Sequence, residues 1–361
     1  MEKRLNSRWK THFRKRLIEW YDKEFRDLPW RGTSSPYEIW ISEIMLQQTQ
    51  VKKVIPYYKK FLHTFPTVND LANADLSQVL KVWEGLGYYA RARNLHKAAK
   101  IVVNEHHGAF PSDPEQVRNL PGIGPYTAAA ILSIAFGQNL PVLDGNVIRV
   151  LSRLFAIDLN TKSAQGKSHL LAIARELLQP GLAGTFNQAM MELGAMVCTP
   201  KSPKCGECPL AKKCRAKETN TINSYPIKTP KKERPHYHIA VGIIWRGDEI
   251  LIARRPEEGL LGGLWEFPGG KLENGETLQQ AVAREISEEL DVQVSVQELL
   301  TVIKHQYTHF KITLHAFHCQ YLSGVPKAIG CTEWRWVKKE ELDAFAFPTA
   351  NRKILNQLLQ E

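Results

Sequence analysis

The chain has 361 residues, enough for two or three domains, and its 43% hydrophobic and 24% charged residues exclude wholesale disorder. Forty-eight Lys and Arg against 37 Asp and Glu leave a net charge of +11, which suits a polyanionic partner, most often nucleic acid. The longest mostly apolar stretch, Thr127 to Gly137, falls short of the ~20 residues that span a bilayer, and the amino-terminal region lacks the apolar core of a signal peptide. A cytoplasmic protein without a membrane partner is expected.

Apolar residues recur at helical spacing in Phe13–Trp20, Ile39–Leu46, Val51–Phe61 and Ala128–Ile134, separated by short Pro, Gly and Asn breaks, so residues from about 5 to 195 read as mainly helical. Within Tyr37–Thr49 the stretch 39–46 is apolar on nearly every face except at Ser42 and Glu43. A carboxylate on such a helix is costly to bury, and desolvation raises its pKa towards that of a general acid. The plainer alternative is an exposed Glu on a polar stripe. Further on, Leu120-Pro121-Gly122-Ile123-Gly124-Pro125-Tyr126-Thr127-Ala128 sets two glycines before a helix. That form lets backbone N–H groups approach a phosphate, though a Gly-x-Gly turn also serves as a simple connector. Twenty residues past Gly124, Asp144 stands among the apolar Val142, Leu143 and Val147, where it can cap the helix that follows.

Four of the six cysteines fall in Cys198-x6-Cys205-x2-Cys208-x5-Cys214. Such crowding in a large chain without a secretion signal indicates a metal or cluster site, and the spacing alone leaves zinc and a four-iron cubane both open. Cys319 and Cys331 read as small buried residues. From Pro200 to His236 ten Lys and Arg face three Asp and Glu, which predicts a cluster loop over 198–214 and a basic linker over 216–236. Strands are then expected over His238–Trp245 and Glu249–Ala253, turning at Gly247 and Asp248, followed by a helix over Leu278–Leu290 and strands over Val302–Tyr307 and Thr313–Tyr321. The second domain is therefore α+β.

Taken together, Leu28-Pro29-Trp30-Arg31, the run Ser42-Glu43-Ile44-Met45-Leu46-Gln47-Gln48-Thr49-Gln50, Trp83-Glu84-Gly85-Leu86-Gly87-Tyr88-Tyr89, the Gly-x-Gly hairpin, Val142 to Val147 and the four cysteines resemble the MutY family of adenine DNA glycosylases, within the helix-hairpin-helix superfamily that includes endonuclease III. The resemblance covers residues from about 9 to 361. It implies a multidomain chain: an all-α glycosylase core over 1–215 with a helix-hairpin-helix at about 115–130 and a [4Fe–4S] loop at 198–214, the linker at 216–236, and a Nudix-like α+β domain over 237–361. The resemblance, and not the spacing, decides against zinc, and it places Lys201, Lys204, Lys212 and Lys213 along a DNA backbone.

The resemblance also implies roles. Cys198, Cys205, Cys208 and Cys214 hold the cluster. Superfamily members that also nick DNA carry a hairpin lysine for imine chemistry, and Tyr126 stands in its place here, so a monofunctional enzyme is expected. Adenine is a poor leaving group, and its departure needs a proton on the base and an anion near the oxocarbenium-like sugar. Glu43 resembles the acid and Asp144 the anion or covalent trap, with Tyr126 and Asn146 orienting them. Gln188 occupies a position where some relatives carry Glu. Extrusion of the base points to Gln48, Thr49 and Leu86 at the DNA, to Tyr88 against the opposite purine, and to Gly122 and Gly124 at a phosphate. In His305-Gln306-Tyr307-Thr308-His309-Phe310, Thr308 and His309 resemble the loop that reads 8-oxo-guanine, with Tyr307 replacing the usual Phe. Gly270, Glu276 and Arg284 to Val292 reproduce a Nudix box except at Asp291, where Gly is expected. Glu285, Glu288 and Glu289 then converge on one helix face, where they can hold Mg²⁺ and hydrolyse a nucleoside polyphosphate as an alternative or additional activity. The implied partner is duplex DNA with 8-oxo-guanine:adenine mispairs. A monomer is expected, nucleoid-associated if the chain is bacterial.

Overall fold

Proline and cap residues punctuate the helical region of the computed structural model, which describes residues 6–227 and 233–360. Residues 228–232, in the expected linker, lie outside the described residues, as do 1–5 and 361. Helix α1 (Ser7–Glu24) is capped by Asn6, α2 (Pro36–Leu46) by Ser35 with Pro36 in its first turn, and α3 (Val51–Thr64) follows after a short break. Then come α4 (Val68–Asn73), α5 (Leu76–Trp83) and α6 (Ala90–His106). Asp113 and Pro114 start α7 (Pro114–Asn119), and Gly124 and Pro125 start α8 (Pro125–Ala135). Asp144 caps α9 (Gly145–Phe155), Ser163 caps α10 (Ala164–Leu177), and α11 (Ala183–Met196) leads to the cysteines. Proline at N1 lacks only an N–H that would be unpaired anyway, and Ser, Asp and Asn side chains accept from orphan N–H groups at N2 or N3.

The described residues fall into two compact units: Met1–Leu62, Thr67–Asn69 and Ala98–Lys231 in one, His63–Pro66, Asp70–Lys97 and Lys232–Glu361 in the other. Helix α1 centres the first, burying Phe13, Leu17 and Tyr21 with Phe186, Met190 and Leu193 of α11 and Val147, Val150 and Leu151 of α9. Truncating any of these large side chains to Ala costs about 2–5 kcal/mol. The start of the expected linker is structured here. A short helix α12 (Arg215–Glu218) packs on α9, and the Arg153 guanidinium donates to the Ile222 and Tyr225 carbonyls.

In the second unit, β1 (His236–Arg246), β2 (Glu249–Arg254), β3 (Trp265–Glu266), β4 (Gly269–Lys271), β5 (Gln293–Gln306), β6 (Lys311–Ser323) and β7 (Glu333–Lys338) form one sheet in the order β3-β2-β1-β6-β5. Strand β4 pairs with β1 and β7 with β2. The β1–β6 pair is parallel and the others antiparallel. Helix α13 (Leu278–Leu290) covers one face, with Ala281, Val282 and Ile286 against Ala240, Ile244 and Phe317. Helix α14 (Thr349–Leu358) covers the other, with Ile354 and Leu355 among Ile243, Phe267 and Leu314. A Cβ at Gly242 would stand 2.7 Å from Ile286 Cδ1, so this glycine sets how closely α13 seats on β1. Residues 70–97 group with the sheet, not with the helical core expected over 1–215. Glu84 accepts from the Arg352 guanidinium at 2.6 Å and from the Phe347 N–H at 2.8 Å.

Candidate active site

Glu43 lies on α2, whose 39–45 face is wholly buried, and is itself only 6% exposed. It lines a cavity of about 650 Å³ together with Arg31, Gln48, Tyr126, Asp144 and Glu192. Helix α8, packed beside α2, brings the Tyr126 hydroxyl to donate to Glu43 Oε2 at 2.8 Å. Burial pushes the Glu43 carboxyl up to about 7, against the Tyr126 hydrogen bond and the Arg31 charge, which lower it; nearby Asp144 raises it further. Burial and the two carboxylates push the Tyr126 phenol well above its ordinary value. At neutral pH it is a fixed donor.

Asp144 is held by the start of α9. Its carboxylate accepts from Val147 N–H at 2.7 Å and from Asn146 Nδ2 at 2.8 Å. Burial raises its pKa while these donors oppose the rise, and the positive end of α9 favours the anion. Asn187 of α11 pins the incoming loop, donating to the Leu140 carbonyl and accepting from Val142 N–H at 3.2 Å. Arg149, one turn into α9, donates to Asn146 Oδ1 at 2.9 Å and fixes the amide that faces Asp144.

Three residues with no role in the sequence reading, Arg26, Arg31 and Glu192, also line the cavity. Burial works to raise the Glu192 carboxyl, but the Arg26 hydrogen bonds at 2.6 and 2.8 Å and the Arg31 charge bring it below its ordinary value. Gln188, one turn earlier, accepts from Tyr21 and Arg31. The lack of an acid at 188 therefore does not leave the site without a third carboxylate. Glu192 carries the same signal that drew attention to Glu43, a lone acid in an apolar helical run.

Gln48 is in the left-handed region at φ 56° and lines the cavity with Thr49, Gly122 and Gly124. Leu86 is 4% exposed, folded into the core between Gly85 and Gly87, both at positive φ. Tyr88 is 42% exposed, and its hydroxyl lies 2.5 Å from Thr308 Oγ1. Thr308 and His309 are both exposed in the β5–β6 hairpin.

The four cysteines line one small cavity of about 30 Å³ with Arg153 and Lys217. Burial and then the neighbouring thiols push Cys208 up to about 12. Cationic iron relieves such a crowding of four sulfurs, so the residues fit a cluster. Arg153 Nη1 approaches Cys198 Sγ at 3.4 Å, and Lys201, Lys204, Lys212 and Lys213 are exposed around the loop.

On α13 the three expected Mg²⁺ ligands do not converge as the helical spacing implied. Glu288 turns outward to Arg284 at 3.1 Å, and that guanidinium also pairs with Glu276 at 2.9 Å and Glu285 at 3.1 Å. Glu289 accepts from Gly269 N–H at 3.3 Å, and burial, then Glu266, pushes it up to about 7. Among the described residues no three of His, Cys, Asp or Glu are grouped to hold one metal ion. Asp291 does take the glycine-like conformation at φ 56°, ψ 38°, with Lys327 Nζ 2.7 Å from its carboxylate. Among the described residues no helix is long and apolar enough to cross a membrane.

Residues 41–179 match the HhH-GPD superfamily of base excision DNA repair proteins, 198–214 the iron-sulfur binding domain of endonuclease III, and 240–357 the NUDIX domain. Adenine DNA glycosylase of Rattus norvegicus is 36% identical over 398 residues, covering 95% of this chain and 77% of that protein. The Homo sapiens enzyme of the same name is 36% identical over 400 residues, covering 95% and 73%. A solved thermostable thymine-DNA glycosylase is 31% identical with a TM-score of 0.54, over 58% of this chain and 97% of that one.

Proposed function

The chain belongs to the adenine DNA glycosylases, base excision repair enzymes, with a helix-hairpin-helix core, an iron–sulfur binding domain and a NUDIX domain, and from this premise we propose that it is a monofunctional glycosylase releasing adenine mispaired with 8-oxo-guanine, or with guanine, in duplex DNA. One observation carries the reading: Glu43, hydrogen-bonded to Tyr126, and Asp144, held at a helix start, line the same cavity.

Glu43, pushed up to about 7, is protonated in a large fraction of molecules near neutral pH and can deliver its proton to an extruded adenine as the N-glycosidic bond breaks. Tyr126 occupies Oε2 and so fixes the orientation of that carboxyl. Asp144, kept as an acceptor by Val147 and Asn146, faces the positive charge that develops on the sugar. The Glu43 carboxylate then takes a proton from the incoming water. Tyr126 cannot form an imine, so an abasic site is the product. The four-cysteine ligand set suits a [4Fe–4S] cluster, which when bound rigidifies the loop that presents the surrounding lysines to DNA. Thr308, paired with Tyr88, is the residue proposed to read the 8-oxo-guanine opposite. Glu43→Gln and Asp144→Asn should each abolish adenine release in single-turnover assays while DNA binding persists, since each alters reactivity with little change of volume. Near-wild-type rates in either variant would remove these roles.

The crowding of Glu289 with Glu266 and Glu285 favours a second reading, Mg²⁺-dependent hydrolysis of a nucleoside polyphosphate. It predicts turnover by the full chain that Glu289→Gln abolishes; no turnover above background with Mg²⁺ or Mn²⁺ removes it and leaves α13 a structural helix.

A further inference from the structure

One end of the C-terminal sheet carries histidines that neither the excision site nor the Thr308 loop uses. The parallel register of β1 and β6 pairs His236 with Lys311, His238 with Thr313 and Ala240 with His315, so these side chains share the face on which α13 packs. Helix α13 covers Ala240, Ile244 and Phe317 but leaves His236 and His238 exposed and His315 half-buried. On β5, Lys304 stands opposite Thr313 and Gln306 opposite Lys311, and Lys304, Gln306 and Lys311 are exposed. No carboxylate occurs in His236–Ala240, Val302–Gln306 or Lys311–His315. Lys271 of β4, opposite Ile239, lies on the other face over the Tyr237 ring, and α13 has no acid in its first turn. Glu276, just before α13, is already paired with Arg284. Within the strip formed by those three strand segments every charged side chain is basic, while Glu233 precedes β1 and Glu273 follows β4.

Inside it, His238 Nδ1 and His315 Nε2 are 3.3 Å apart, with ring centroids 5.6 Å apart and planes 22° from parallel. That centroid separation is the N···N distance plus a ring radius at each end, so the two nitrogens meet head to head. One must donate and the other accept. A second proton would remove the acceptor and oppose two cations, unless an anion came to the pair. The His236 ring lies 5.1 Å from that of His238, with its Nε2 2.9 Å from Thr313 Oγ1. Burial, then the His238 charge, holds His315 below the ordinary histidine range.

We propose that this strip is a phosphate-contact face for duplex DNA: Lys304, Lys311 and His236 meet backbone phosphates, and the His238–His315 pair takes up a proton as the duplex binds. Lys304 and Lys311 flank Thr308 on the same hairpin, about 10–14 Å away along extended strands, so a duplex engaged by that hairpin brings its own phosphates within reach. The inference rests on duplex binding and not on the lesion reading.

The test is equilibrium binding of the full, cluster-loaded chain to an undamaged duplex, followed by anisotropy across a salt series, with calorimetry in two buffers of different ionisation heat to count protons. Each lost phosphate contact lowers the slope of log K against log salt by about 0.9, so Lys304→Gln/Lys311→Gln should lower it by about 1.8. His238→Gln, at an exposed position, should reduce proton uptake on binding by close to one and flatten the gain in affinity between pH 7.5 and pH 6. His315→Gln should do the same. An unchanged slope in the lysine variant overturns the contact face, and unchanged proton uptake in both histidine variants overturns the proton-linked pair. The duplex carries no lesion, so failure of the lesion reading is scored separately.

Discussion

Arg149 ties the helix start that holds Asp144 to the first cysteine of the cluster loop. Its Nε donates to the Cys198 carbonyl at 2.7 Å, while Nη2 donates to Asn146 Oδ1 at 2.9 Å and to the Gly194 carbonyl at 2.6 Å. Gly194 is required for that approach, because a Cβ there would stand 2.6 Å from Asn146 Cβ. The loop is therefore part of the wall that positions the anion, and damage to one should be felt at the other.

Arg149→Gln should retain iron, since all four cysteines remain, yet slow adenine release by about 100-fold through misplacement of Asn146 and Asp144. Losing several charge-assisted bonds from a buried guanidinium should also cost on the order of 3 kcal/mol. Single-turnover kinetics beside iron analysis checks this. A normal rate with iron retained would show that Asp144 keeps its place without the arginine.

Glu43 makes the site a stability liability with a definite pH dependence. Below about 4.5 both folded and unfolded chains keep its proton, and no loss arises. Between there and about 7 only the unfolded chain releases it, so stability falls as pH rises, by about 3 kcal/mol in total at ~1.4 kcal/mol per pH unit. Glu43→Gln cannot ionise and should melt higher than wild type at pH 8 and alike near pH 4. Equal melting at pH 8 would contradict a carboxyl buried this deeply. Tyr126→Phe removes a bond that lowers the Glu43 pKa, so the alkaline fall in adenine release should move to higher pH.

The sequence made some of this legible and hid the rest for physical reasons. Glu43, Asp144 and the four cysteines stood out because an acid in an apolar helix, an acid before a helix and clustered thiols each need local chemistry. Glu192 had the first of these signals and went unassigned. Arg149 carried none, because its partners are carbonyls and an amide reached only through the fold. The grouping of residues 70–97 with the sheet depends on long-range contacts such as Glu84 meeting Arg352, 268 positions away, and Arg93 meeting the Gly262 carbonyl. The start of β5 was missed because bulges near Val296 and Leu299 break its alternation. Leu86, expected at DNA, is 4% exposed between two glycines at positive φ.

Cys208→Ser, or Cys205→Ser, should lose iron and DNA affinity together. Purified protein should carry about four irons per chain and no stoichiometric zinc. The lysines at 201, 204, 212 and 213 all lie on or beside the loop, so its collapse removes their common support. Zinc in protein prepared without oxygen would overturn the [4Fe–4S] assignment, and full DNA affinity without iron would separate the lysines from the cluster.

Tyr88 and Thr308 supply the last prediction. Tyr88 adopts a left-handed backbone at φ 51°, a costly state for an aromatic residue, and the Arg91 guanidinium lies 5.4 Å from its ring and 5.3 Å from that of Trp83. The exposed phenol therefore has a fixed place beside the Thr308 hydroxyl, where the two can present hydrogen-bonding groups to a purine edge. Thr308→Ala should reduce the preference for 8-oxo-guanine over guanine opposite adenine and leave release from guanine:adenine pairs near its wild-type rate. Thr308→Ser, which keeps the hydroxyl, should restore the preference. If the alanine variant discriminates as well as wild type, the hydroxyl does not read the lesion; if serine fails to rescue, the methyl group and packing matter more than the hydrogen bond.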